Sequence, residues 1–216
     1  MTMIQTSKIT LALADDHSLF RKGMAGLLTS LTRFEILFDA ANGKELLDML
    51  DPANLPQIVL MDINMPELDG YETSAALHKK YPEVKIIALS MYDNEFSIIR
   101  MLKNGANGYL LKDCDPAELV RAIESVAKNG YYHSELLSGR LLHALAGESA
   151  VPELTEKEIT FLRYCCTDYT YKEIAERLSL SPRTVEGYRD ILFDKLQTKS
   201  RTGLAMYAIK SGIVQI

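Results

Sequence analysis

The chain has 216 residues, with 24 Lys and Arg against 29 Asp and Glu and a net charge of −5. This composition is typical of a globular protein of one or two domains and excludes disordered and fibrous proteins. No apolar run approaches the roughly 18 residues of a transmembrane helix, and Met1 to Lys8 lack the apolar core of a secretory signal. We therefore expect a cytoplasmic protein with no membrane partner.

Short apolar runs alternate with helical patterns over the first 130 residues. The runs predicted as strands are 8–14, 34–41, 57–61, 84–90 and 109–112. A helical pattern follows each strand, and the last helix is predicted to run from Asp115 as its N-cap to a stop at Gly130. Five such units predict a parallel sheet covered by helices on both faces, with ligands bound at the carboxyl ends of the strands.

The remaining chain contains a linker and a second domain. Residues 131–152 are predicted as a linker with a helix, because leucines from Leu136 to Leu145 have amphipathic spacing and Pro152 follows. Over 153–216 the patterns are helical only, at 156–166, 171–178, 182–196 and 201–211. The chain up to Pro152 has 14 basic and 20 acidic residues, whereas the chain after Pro152 has 10 basic and 9 acidic residues. The first part is therefore acidic and the second nearly neutral.

Acidic residues end two of the predicted strands. Asp15 and Asp16 follow the first strand and Asp62 follows the third, so the sheet geometry brings them to one edge. Two carboxylates about 4 Å apart repel by roughly 4 kcal/mol at an effective dielectric of 20, which favours a bound cation. Oxygen ligands indicate Mg²⁺, which commonly shares its shell with a phosphate. Ser90 and Lys112 end the fourth and fifth strands, where they can bind phosphoryl oxygens.

These residues also allow other interpretations. A lone Asp at a strand end is usually a turn or cap residue, and we assign that role to Asp69 before Gly70. Neither GxGxxG nor GxxxxGK[ST] occurs, which disfavours nucleotide binding. A metal-dependent phosphotransfer enzyme is the alternative function, but a hydrolase of the haloacid dehalogenase kind needs an acidic residue at the position of Asn64.

Residues 8–130 resemble the receiver domain of two-component response regulators, which has a flavodoxin-like fold. The resemblance rests on Asp15-Asp16, on Ser90 and on the segments IVLMDINMPELDG and GANGYLLKD. It implies that Asp62 accepts a phosphoryl group from a phosphohistidine on a sensor histidine kinase. The implied Mg²⁺ ligands are Asp15, Asp16, Asp62 and the backbone carbonyl of Asn64.

The resemblance also implies roles in switching. Ser90 and Lys112 bind the phosphoryl oxygens, and Tyr109 follows the hydroxyl of Ser90 inward on activation. Tyr92, two residues after Ser90, is placed to shield the acyl phosphate from water. Such a protein is a phosphoacceptor that catalyses only its own phosphotransfer, and is not otherwise an enzyme.

The C-terminal patterns are typical of a helix-turn-helix, whose second helix enters the major groove of DNA. A small helical interaction domain is the alternative, because the net charge of this part is only +1. Residues 154–213 resemble the LuxR-type helix-turn-helix in LTEKEITFL, YKEIAERLSLSPRTVEGYRDILFDKL and KSRTGLAMYAIKSG. The whole chain is thus similar to NarL/FixJ-type response regulators, which implies a transcription regulator that binds promoter DNA and forms a homodimer on phosphorylation.

The second helix departs from the family pattern at two positions. The family commonly has a Lys and a His where this chain has Glu186 and Tyr188. Glu accepts a hydrogen bond from cytosine but does not bind phosphate. The remaining candidates for DNA contact are Arg183, Thr184, Arg189, Lys195, Lys199 and Arg201, with Lys172 as a further basic residue.

Overall fold

The computed structural model describes residues 8–91, 93, 95–132, 152 and 154–214. The chain divides into two compact units, one built on a β-sheet and one built of helices. Tyr92 and the helix predicted within 131–152 lie outside the described residues. Across the described part of the chain, no helix combines the length and the apolar character needed to span a bilayer.

The sheet unit alternates strands with helices, as the sequence predicts. Its elements are β1 Ile9–Ala14, α1 Ser18–Ser30, β2 Phe34–Ala40, α2 Gly43–Met49, β3 Ile58–Asp62, α3 Gly70–Lys80, β4 Lys85–Ser90, α4 Glu95–Lys103, β5 Gly108–Leu111 and α5 Pro116–Asn129. All neighbouring strands are parallel, in the order β2-β1-β3-β4-β5. This is the predicted flavodoxin-like sheet, and each strand end lies within one residue of its predicted position.

The central strand β3 is buried on both faces, which explains its continuous apolar sequence. Ile58 and Leu60 belong to the core that contains residues of α1 and α5. Val59 and Met61 point to the opposite core, which contains residues of α2, α3 and α4. Alternate side chains of β3 therefore belong to two hydrophobic cores, one on each face of the sheet.

Cap residues set the ends of several helices in the sheet unit. The side chain of Asp115 accepts a hydrogen bond from the amide of Ala117, and Gly130 ends α5 at φ 86° in the left-handed conformation. Asp69 caps α3, as predicted. A Cβ on Gly70 would meet the Cα of Ile63 at 2.7 Å, so this glycine lets α3 start close against the end of β3.

The helical unit contains four helices in the described residues. They are α6 Glu156–Cys165, α7 Tyr171–Arg177, α8 Pro182–Lys195 and α9 Arg201–Lys210. Each ends one residue before its predicted last residue, because Cys166, Leu178, Leu196 and Ser211 are C-caps rather than helical residues. The predicted start of α6 is confirmed, since Thr155 and Glu158 form a capping box.

A short turn joins α7 to α8. Ser179 adopts a left-handed φ of 53°, and the amide of Leu180 donates to the carbonyl of Ala175 over 2.8 Å. Ile174 of α7 and Val185 and Leu192 of α8 are buried in one core. The turn and this shared core give the helix-turn-helix arrangement that the sequence predicts.

Candidate functional site

The carboxyl edge of the sheet brings together side chains from four strands. Asp15 follows β1, Asp62 and Ser90 are the last residues of β3 and β4, and all three are at least 98% buried. Lys112 directly follows β5, and its amide donates to the carbonyl of Ser90 over 2.7 Å. The predicted convergence therefore follows from the parallel register of these strands.

Lys112 lies between two buried carboxylates. Its Nζ is 2.8 Å from Oδ2 of Asp15 and 2.8 Å from Oδ2 of Asp62. Burial raises the pKa of Asp62 to about 6, although its hydrogen bond to Lys112 acts in the opposite direction. One ammonium thus compensates part of the repulsion between two carboxylates that have little access to water.

The acidic residues also form a cluster that can hold a metal ion. One oxygen from each of Asp15, Asp16 and Asp62 and one nitrogen from His17 all lie within 4.8 Å of one another. Carboxylate oxygens are the ligands that Mg²⁺ prefers. The chemistry of the three carboxylates therefore fits the ion that the sequence predicts.

Further hydrogen bonds orient Asp62 and hold the loop that carries Asp15. The amide of Asn64 donates to Oδ1 of Asp62 over 3.3 Å. Arg21 donates to the backbone carbonyl of Asp15 and pairs with Asp39 at 2.6 Å. Arg21 therefore links the loop after β1 to β2, a role that the sequence analysis did not find.

Tyr109 lies inside the sheet unit, with 1% of its surface exposed. Burial raises the pKa of its hydroxyl, which is hydrogen-bonded to Ser90. The resemblance places this aromatic residue inward on activation. In this structure Tyr109 already occupies an inward position, in contact with the hydroxyl that it is expected to follow.

His17 is a member of the cluster that the sequence analysis missed. Its Nδ1 lies 2.8 Å from Oδ1 of Asp16, and its amide donates to Oδ1 of Asp15 over 2.8 Å. The available signal was its position directly after the Asp pair, but an exposed histidine at a helix start is not by itself a ligand.

Among the candidates for DNA contact, Arg183 and Lys199 are exposed. The hydroxyl of Thr184 is 2.8 Å from the hydroxyl of the N-cap Ser181. Arg189 pairs with Asp190 at 2.8 Å, and its guanidinium lies 5.7 Å from the ring centre of Tyr171. Arg183, Thr184 and Arg189 thus belong to α8, whereas Lys199 lies in the segment between α8 and α9.

Lys195 and Arg201 make contacts within the helical unit. Lys195 lies 2.7 Å from the buried carboxylate of Glu158. The guanidinium of Arg201 donates to four backbone carbonyls after or near the end of α6, those of Tyr164, Cys165, Thr167 and Tyr169. These contacts favour a structural role for both residues, which the sequence did not indicate.

The two positions that depart from the family pattern differ in environment. Glu186 is exposed on α8. The ring of Tyr188 is only partly exposed, and its centre lies 6.2 Å from that of the buried Phe161. Tyr188 therefore packs at the margin of the core.

Comparison with known families assigns both units. Residues 11–124 match the family model of the response regulator receiver domain, and residues 152–208 match that of bacterial regulatory proteins of the luxR family. The chain is a response regulator. Its relatives include the transcriptional regulatory protein DegU of Brevibacillus brevis, 32% identical over 99% of this chain and 98% of the relative.

Another relative of this response regulator is the transcriptional regulatory protein MctR of Rhizobium johnstonii, 35% identical over 98% of each chain. A solved structure of RcsB from Salmonella enterica bound to the promoter P1flhDC has a TM-score of 0.71 at 22% identity, and the match covers 94% of this chain and 99% of RcsB. That likeness shows the shared fold. The predicted membership of the NarL/FixJ-type response regulators is confirmed.

The response regulator therefore combines a receiver with a LuxR-type DNA-binding domain, as expected of a two-component transcription regulator. Proteins of this family are in general transcription factors rather than enzymes. The roles of single residues in the receiver and in α8 remain predictions.

Proposed function

We propose that phosphorylation of Asp62 by a sensor histidine kinase switches this response regulator. The proposal rests above all on one arrangement, in which Asp62 lies beside Asp15 and within 2.8 Å of Lys112. A carboxylate beside a fixed cation suits the transfer of an anionic group, since phosphoryl transfer depends mainly on positioning and charge neutralisation.

We propose Mg²⁺ as the cofactor. Its ligands are the carboxylates of Asp15, Asp16 and Asp62 and the backbone carbonyl of Asn64. When bound, Mg²⁺ supplies positive charge that offsets the charge of the phosphoryl oxygens. The oxygen chemistry of the acidic cluster supports this assignment.

In the transfer, a carboxylate oxygen of Asp62 forms a bond to phosphorus while the phosphorus–nitrogen bond of the donor histidine breaks. The electron pair of the broken bond stays on the imidazole nitrogen, which takes up a proton. Lys112 gives up its contact with Asp62 and binds one phosphoryl oxygen. The hydroxyl of Ser90 donates a hydrogen bond to a second phosphoryl oxygen. Tyr109 is hydrogen-bonded to Ser90, so a movement of that hydroxyl changes the position of the Tyr109 ring and, through it, the surface of the receiver.

For the output we propose that α8 binds promoter DNA and that phosphorylation promotes a homodimer. Arg183, Thr184, Arg189 and Lys199 are the proposed contacts, while Lys195 and Arg201 stabilise the domain. We assign residues 1–130 to the receiver, 131–152 to the linker and 153–216 to the DNA-binding domain. The chain catalyses only its own phosphotransfer.

Incubation with Mg²⁺ and acetyl phosphate, followed by intact-mass measurement, tests this proposal. We expect one added phosphoryl group per chain, none in Asp62→Asn, and normal labelling in the control Asp48→Asn, which changes an exposed residue of α2. Continuous release of phosphate over many turnovers, without a phosphorylated chain, would instead support a phosphotransfer enzyme.

A further inference from the structure

The side chain of His17 turns toward the acidic cluster instead of capping a helix. His17 is the N-cap of α1, yet its side chain makes no capping hydrogen bond. Its Nδ1 lies 2.8 Å from Asp16, 3.5 Å from Asp15 and 4.0 Å from Asp62. The imidazole therefore faces all three carboxylates that we propose as ligands.

The spacing of these atoms suits a single ion with one nitrogen ligand. Donor atoms on opposite sides of an ion are separated by about twice the ion–ligand distance, or about 4–5 Å for ligands at 2.0–2.4 Å. The nitrogen and the three oxygens all lie within 4.8 Å of one another. His17 can thus reach an ion held by the carboxylates.

We propose that His17 is an additional ligand of this pocket and that it makes the receiver prefer a nitrogen-binding divalent cation, of the class of Co²⁺ and Ni²⁺, over Mg²⁺. Imidazole suits such first-row ions, and their affinity for mixed nitrogen and oxygen sites rises from Mn²⁺ toward Cu²⁺. Mg²⁺ gains little from a nitrogen ligand, because it is a hard ion that keeps oxygen ligands and water. This inference rests on the proposed cation site but concerns its selectivity.

The three cysteines are weak competitors for such an ion. Burial raises the pKa of Cys114, Cys165 and Cys166, with Cys165 reaching about 12. Only the thiolate is a good metal ligand, so these thiols have little affinity near neutral pH. A Ni²⁺ site that depends on His17 can therefore be measured in the full-length chain.

The test is calorimetric titration of the full-length protein with Ni²⁺ and, separately, with Mg²⁺. We expect His17→Gln and His17→Ala each to weaken Ni²⁺ binding by at least about tenfold. Removing a residue that only hydrogen-bonds to a metal ligand can already cost this much affinity. Mg²⁺ affinity should change less than about threefold. His17 is 63% exposed, so both variants should fold. His78→Gln, which changes an exposed histidine of α3, is the matched control.

Competition separates the two proposals. Excess Mg²⁺ should displace Ni²⁺ from the wild type. Asp62→Asn should lower the affinity for both ions. Suppose that the wild type binds Mg²⁺. If His17→Gln then keeps the full affinity for Ni²⁺, or loses affinity for Ni²⁺ and Mg²⁺ equally, His17 is not a selective ligand, and the Mg²⁺ site stands. If the wild type binds neither ion, both proposals fail.

Discussion

The ammonium of Lys112 lies 2.8 Å from a carboxylate oxygen of Asp62, the residue that we propose as phosphoacceptor. The same ammonium lies 2.8 Å from Asp15, so one cation serves two carboxylates at the end of the sheet. Removal of one member of a buried ion pair usually costs far more than the pair contributes, because the remaining charge stays buried. Lys112 therefore has a structural role in addition to its proposed role in phosphoryl transfer.

We expect Lys112→Met to destabilise the receiver by about 3 kcal/mol in the presence of a chelator, because two carboxylates then remain without their cation. Mg²⁺ should restore part of this loss, since it supplies charge to the same carboxylates. Urea denaturation with and without Mg²⁺ measures both effects. Lys44→Met, which removes an exposed pair with Glu67, should cost less than about 1 kcal/mol. Equal denaturation curves for wild type and Lys112→Met in chelator would contradict the structural role.

The pair of Glu158 and Lys195 predicts a pH dependence for the helical unit. Burial acts to raise the pKa of Glu158, but hydrogen bonds from Lys195 and Thr155 outweigh it, and the pKa lies below its ordinary value of 4.5. A carboxyl group with a lowered pKa stabilises the folded state above its unfolded pKa and loses that contribution as pH falls through the folded pKa.

The thermal midpoint of the helical unit should therefore fall as pH decreases below about 4.5, and Glu158→Gln should flatten this dependence. Circular dichroism melts between about pH 3 and pH 6 provide the measurement. Glu176→Gln, at an exposed position of α7, is the control and should keep the wild-type slope. Parallel curves for wild type and Glu158→Gln would show that the ion pair does not control acid stability.

Arg183 and Arg201 should separate DNA contact from domain stability. Arg183 is exposed near the start of α8, whereas Arg201 binds four backbone carbonyls. We expect Arg183→Ala to weaken promoter binding and to leave the melting temperature unchanged. If each protomer loses one phosphate contact, the log-log salt slope of a dimer should become shallower by about 2. Binding titrations at several salt concentrations measure this slope.

Arg201→Ala should instead lower the melting temperature, because the carbonyls after α6 lose their donor. Lys44→Ala in the receiver should change neither property. An unchanged affinity and salt slope in Arg183→Ala would remove this residue from the DNA interface. Wild-type stability of Arg201→Ala would contradict its structural role.

The sequence predicted the elements and the edge of the sheet well, because both depend on local patterns. Asp115 and Gly130 marked the limits of α5, and the apolar run of β3 marked a strand buried on both sides. Side-chain direction was harder to predict, since it depends on partners far apart in the chain. The charge of Arg201 suggested DNA, while its contacts lie more than 30 residues earlier. His17 was missed for a different reason: its partners Asp15 and Asp16 are neighbours in the chain, but the sequence does not show which way its ring points.

Chemical trapping of the phosphorylated residue tests the central claim most directly. Borohydride reduces an aspartyl phosphate to homoserine, so peptide mass spectrometry after treatment with acetyl phosphate and Mg²⁺ identifies the acceptor by its changed mass. We predict homoserine at position 62, and no such product when a chelator replaces Mg²⁺. Homoserine at another aspartate, or a phosphorylated chain with Asp62 unmodified, would contradict the account.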